Sequence, residues 1–85
     1  MGQDISVRFK FFSGIEKELE LQNYSPADGI TMTVPPGRRL RWALKAIGMK
    51  KLSRFAYFRK GGRISPWIVL MDGDEIICLR LAGGG

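Results

Sequence analysis

Hydrophobic and polar positions alternate without interruption through "ISVRFKF". Ile5, Val7, Phe9 and Phe11 fall on one face, and Ser6, Arg8 and Lys10 on the other. That is the period of a half-buried strand. A second alternation, in "GITMTV", sets Ile30, Met32 and Val34 inward and Thr31 and Thr33 outward, and stops at Pro35-Pro36. Between the two, Leu19 and Leu21 alternate with Glu18 and Glu20, which fits an irregular strand or a returning hairpin arm. "NYSPADG" then reads as loop.

The pattern changes period once. In "PPGRRLRWALKAIG", Leu40, Ala43, Leu44 and Ile47 recur at the spacing of a core-facing helical stripe, which predicts a helix near residues 38–48. Gly48 stands where a helix C-terminal glycine belongs. Arg38, Arg39 and Arg41 crowd the positive end of the helix dipole, an arrangement that costs a few tenths of a kcal/mol. Further on, "RFAYFRKGGRIS" predicts two short strand arms around Gly61-Gly62, and "PWIVLM" is a short apolar run. "DGD" signals a turn before the last strand, "EIICLRL". There Ile76 and Cys78 point one way while Ile77, Leu79 and Leu81 point the other. The order predicts one α+β domain over residues 1–85, with one main helix packed across a mixed sheet and a flexible tail from about residue 82. Leu40, Leu44 and Ile47 are expected to be buried against Val7, Phe9, Met32 and Val34.

Composition narrows the chemistry. The chain has no histidine and a single cysteine, so the commonest general base is missing and no structural zinc site or internal disulfide can be built. No Walker-type glycine loop is present, and no apolar run is long enough to span a membrane. The expectation is a non-enzyme that binds no metal or cofactor and works in the cytoplasm. A net charge of +6 favours an acidic partner or nucleic acid. Cys78, beside Ile76 in the pattern, is expected to be a buried structural thiol. Trp42 and Trp67 are expected to serve core or rim packing, and Asp72 and Asp74 to form the turn.

Three stretches, "VRFKFFSGIEKEL", "TVPPGRRLRWALKAIG" and "LMDGDEIICLRLAGGG", together resemble the β-grasp sulfur carriers. These are the ubiquitin-like small proteins that include the thiamine sulfur carrier and the small subunit of molybdopterin synthase. The closing motif, DGDE followed by an apolar strand and terminal glycines, is the most specific of the three. The resemblance implies a β-grasp fold and a carrier acted on by an adenylating enzyme of the ubiquitin-activating type, or serving as the small subunit of a synthase complex. It implies that AMP from ATP is attached to the carboxylate of Gly85, and that a persulfide from a sulfurtransferase or cysteine desulfurase displaces it to leave a thiocarboxylate. A downstream synthase then takes the sulfur for thiamine, for molybdopterin (or tungstopterin), or for tRNA thiolation or cysteine synthesis.

The tail suits that task. Gly83, Gly84 and Gly85 carry no Cβ, so they can thread a narrow nucleotide channel in the partner. Glycines offer nothing to bury, and the tail is expected to be disordered beyond about Leu81 in the free protein. Ordering it costs about 1–2 kcal/mol per residue, which docking of the folded body must offset. Ile77, Leu79 and Leu81, together with Phe12, are the candidate apolar docking residues. Arg38, Arg39 and Arg41 are the candidate contacts for an acidic surface of the adenylating enzyme. A ubiquitin-like modifier joined to target lysines through Gly85 is a second reading, since the same adenylation serves both. A basic nucleic-acid-binding module is a third, resting on charge and on the aromatic-basic run "RFAYFRKGGR".

Overall fold

The protein is described by a computed structural model, covering residues 3–21, 24–25 and 27–81. Strands β1 (Ile5–Phe11), β2 (Ile30–Val34), β3 (Phe55–Arg59), β4 (Gly62–Ile64) and β5 (Glu75–Arg80) form one sheet in the order β2-β1-β5-β3-β4. β1 and β5 run parallel at its centre, while β1–β2, β3–β5 and β3–β4 are antiparallel. Helix α2 (Leu40–Ile47) lies between β2 and β3 in sequence, and a single helical turn, α1 (Ile15–Glu18), follows β1.

One face of this sheet holds the core. Val7, Phe9, Phe11, Val34, Tyr57, Ile76 and Cys78 are buried there together with Leu40, Ala43 and Leu44 of α2 and Ile15 of α1. The pairing explains why they meet: Phe9 stands opposite Ile76, and Cys78 stands between Phe11 and Tyr57. The helical stripe reads as expected at Leu40 and Leu44. Ile47 and Met32, however, are only partly buried, because they sit at the margins of the contact. Gly48 ends α2 at φ 113°, a left-handed conformation that costs a side-chain-bearing residue more. The arrangement is a β-grasp: a mixed five-stranded sheet with one main helix packed across it.

Residues 15–18 correct the sequence reading. They form a helical turn instead of a strand, led by Gly14 in the left-handed region and by a bond from the Ile15 amide to the Phe12 carbonyl. No strand is needed there, because the side chain of Tyr24 takes the place of one. Its hydroxyl accepts from the Phe11 amide and donates to the Phe11 carbonyl at 3.0 Å. The β1–β2 ladder correspondingly ends at Phe9 and Ile30. The hairpin between β3 and β4 turns one residue earlier than expected, on Lys60 and Gly61. Both have positive φ, as the tight hairpin turn requires.

Candidate functional site

The DGD turn does more than reverse the chain. The Asp72 carboxylate accepts from the Ser6 amide at 2.8 Å, and the Gly73 amide donates to the Ser6 carbonyl at 2.8 Å. The Arg8 amide donates to the Asp74 carbonyl at 2.9 Å. The Asp74 side chain is buried and turns inward, accepting from the Met71 amide at 2.8 Å and from Arg59 at 3.0 Å. The turn thus fixes the start of β5 against the start of β1, and Arg59 locks it to β3. The turn-former expectation for Asp72 and Asp74 is therefore too small: one residue satisfies a strand backbone and the other forms a partly buried ion pair.

From that anchored start β5 runs through the middle of the sheet and delivers the chain to Leu81, whose amide donates to the Arg54 carbonyl at 3.1 Å. On the face away from α2, Ile77 and Leu79 are half-buried, and Leu81 continues their row at 39% exposure. Phe12, half-buried, extends the row of Lys10 alongside them, its amide bonded to the Cys78 carbonyl at 3.1 Å. The four apolar candidates of the sequence thus share one face. Cross-strand pairing adds two residues that the sequence reading missed: Phe58 stands opposite Ile77, and Ala56 opposite Leu79. Only the β3–β5 register brings them in, and no local pattern carries that register. Arg8, Lys10 and Arg63 lie on the same side, with Lys10 3.7 Å from Glu75.

Arg38, Arg39 and Arg41 are elsewhere. They belong to the approach and first turn of α2, on the helix side of the sheet, so the candidate docking residues divide between two surfaces. Residues 65–71 form a strap along this helix start, opening with a turn in which the Ile68 amide donates to the Ser65 carbonyl at 3.2 Å. The Leu40 amide donates to the Ile68 carbonyl at 2.9 Å, and the Arg41 amide to the Pro66 carbonyl at 2.8 Å. The Leu70 amide in turn donates to the Arg38 carbonyl at 2.9 Å. Two first-turn amides of α2 are thereby satisfied by carbonyl dipoles of the strap, which offsets the clustering of arginines there. Of the core and rim positions expected for Trp42 and Trp67, the structure gives the rim. Both are exposed, with Arg38 held over Trp42 at 5.1 Å and Arg41 over Trp67 at 4.4 Å.

Cys78 is wholly buried, and burial pushes its thiol up to about 12, so it stays protonated and inert as a nucleophile at neutral pH. Among the described residues, no cluster of His, Cys, Asp or Glu is positioned to hold a metal ion, and no helix is long and apolar enough to cross a membrane. Gly83, Gly84 and Gly85, and the expectation of disorder after Leu81, lie outside the described residues.

No protein-family profile and no curated protein matches the chain. Among solved structures it is similar to the crystal structure of SAMP1 from Haloferax volcanii, a ubiquitin-like small archaeal modifier protein. The match has a TM-score of 0.68 at 14% identity and covers 94% of this chain and 99% of that one. That likeness is one of fold: the β-grasp is of the ubiquitin-like kind.

Proposed function

We propose that the protein is a sulfur carrier whose working group is the carboxylate of Gly85. The ionised carboxylate is a poor electrophile, so an adenylating enzyme must first activate it. A carboxylate oxygen attacks the α-phosphorus of ATP, and pyrophosphate leaves. The terminal sulfur of a partner's persulfide then attacks the acyl carbon, and AMP leaves. A thiol finally cleaves the sulfur–sulfur bond, freeing a thiocarboxylate that donates sulfur in cofactor biosynthesis of the thiamine or molybdopterin type. The chain supplies no catalytic residue. Its own part is to dock and to present the tail.

The observation that carries this reading is the course of β5. The strand is pinned at its start by the DGDE turn and runs beside a half-covered apolar row of Phe12, Phe58, Ile77, Leu79 and Leu81. It leads directly into the segment that holds the three glycines. A partner gripping that row has the tail at a fixed distance from its grip.

The test is ATP-dependent AMP incorporation and sulfur transfer, using a cognate adenylating enzyme and a sulfur source. Wild type is compared with a Gly85 deletion and with an added alanine after Gly85. Deletion withdraws the carboxylate by about 3.5 Å and the extension carries it past the α-phosphate, so both should block transfer while the fold persists. Equal transfer to all three chains overturns the proposal.

The likeness to a modifier protein supports a second reading, in which activated Gly85 is joined to a lysine of a target protein. The two fates separate by mass. A carrier gains a sulfur in place of a terminal oxygen, whereas a modifier yields a ladder of conjugates.

A further inference from the structure

The arginines that the open face does not use have their own surroundings. The strap alternates along its length: Leu70 is buried and Ile68 partly so, whereas Trp67, Val69 and Met71 are 58, 42 and 61% exposed. Those three outward side chains border the start of α2, where Trp42 is itself 37% exposed. A shallow depression of about 380 Å³ lies beside them, lined by Gly37, Arg38, Arg39, Arg41, Trp42 and Lys45. The ion pairs of the described residues use Lys10, Arg59 and Arg80, and none uses a cation of this depression.

The charge is segregated along the chain as well. From Gly29 to Met71 there is no aspartate or glutamate, yet ten of the fourteen lysines and arginines fall there. The flanking segments hold four cations against all eight acids, so the excess of positive charge comes wholly from the middle of the chain.

We propose that the seam between the strap and the start of α2 is a second docking surface, and that its partner is an acidic protein segment with apolar side chains set among its carboxylates. Four large apolar side chains give such a segment something to bury, and the arginines give its carboxylates fork-shaped donors. The guanidinium groups are already positioned: those of Arg38 and Arg41 rest over indole rings, and that of Arg39 donates to the Trp67 carbonyl at 2.6 Å. Binding therefore loses less side-chain freedom than it would with free arginines. Arginine, tryptophan and methionine are the residues enriched at protein–protein interfaces. A nucleic-acid strand would call instead for a longer track of cations and for aromatic faces free to stack on bases. Here a guanidinium lies over each indole. The seam lies on the opposite side of the sheet from the row led by Ile77 and Leu79, so both surfaces can be occupied at once.

Trp42 and Trp67 are the only tryptophans, so indole emission, excited at the red edge where the two tyrosines do not absorb, reports on this seam alone. The full chain is titrated at physiological salt with three probes of matched charge: a peptide of about a dozen residues with leucine and phenylalanine set among glutamates, a glutamate-only peptide and an oligouridylate. The mixed peptide should shift the emission saturably and bind tightest. Arg38→Glu with Arg41→Glu should weaken it about tenfold, and Met71→Glu alone should weaken it measurably. Lys50→Glu with Lys60→Glu, the same charge change placed elsewhere, should leave it intact, as should deletion of Gly85. Tighter binding of the oligouridylate would make this a nucleic-acid surface and overturn the proposal. Equal loss in the two double variants, or no response to any probe, would overturn it too.

Discussion

Ile76 and Cys78 on one side of β5 are wholly buried, while Ile77 and Leu79, alternating with them, are half-covered. The residue types on the two sides are nearly the same. What differs is the layer above: α2 and α1 pack into the cluster around Ile76, and among the described residues no comparable layer lies over Ile77. Apolar character in a strand therefore has two meanings in this molecule. On the covered side it holds the fold together, and on the other side it remains available to another protein.

Substitutions should separate those meanings. The largest effect is expected from Phe9→Ala, which empties a fully buried site and should cost about 3–5 kcal/mol in denaturant unfolding. Asp74→Ala should follow at about 2 kcal/mol, because it strips Arg59 and the Met71 amide of their shared acceptor. Gly29→Ala should cost about 1–2 kcal/mol. A Cβ there would meet the Phe9 carbonyl oxygen at 2.5 Å, and the residue sits at φ +70°. Leu79→Ala, on the open side, should cost less than about 1 kcal/mol and yet depress AMP incorporation by the adenylating enzyme. A Leu79→Ala chain as unstable as Phe9→Ala would place both faces in the core and end the contrast.

The last effect concerns Cys78 and is absent at neutral pH, appearing only in alkali. Its thiol is raised by burial from an ordinary value of 9.0 to about 12. Between those values the unfolded chain releases the thiol proton while the folded chain keeps it, so stability falls as pH rises through that window. Cys78→Ala should lose this component. Its stability deficit against wild type should therefore shrink between about pH 9 and 11 in parallel unfolding titrations.

Much of this was legible in the chain. The helix from Leu40 and the strands at Ile5, Ile30 and Glu75 each carry one clean period, and the faces of β5 follow from alternation alone. The turn at Ile15–Glu18 was not legible, because the alternation of Glu18 and Glu20 with Leu19 and Leu21 that runs on from it fits a strand. The backbone groups of Phe11 that a strand there would have paired are taken instead by Tyr24, thirteen residues away. Asp74 looked like a turn residue because its partner, Arg59, is remote in sequence. The division of the candidate docking residues between two surfaces depends on which side of the sheet the helix covers, and no local pattern encodes that. The indole–guanidinium pairs likewise arise only once the strap lies beside α2.

The central pairing of β1 with β5 also has a consequence for how the protein is made. Arg8 pairs with Glu75 and Phe11 with Cys78, so the two middle strands of the sheet come from opposite ends of the chain. Contacts of such sequence separation are slow to form and cannot form until the later strand exists. A nascent chain still lacking residues 75–80 has no neighbour for the inner edge of β1 or for the inner edge of β3, and its apolar side chains remain the concern of chaperones. The row of Ile77, Leu79 and Leu81 likewise leaves the ribosome only after the other four strands of the sheet. A partner that recognises that row can engage only chains in which the other four strands have already been made, which makes translation itself a check on which molecules it meets.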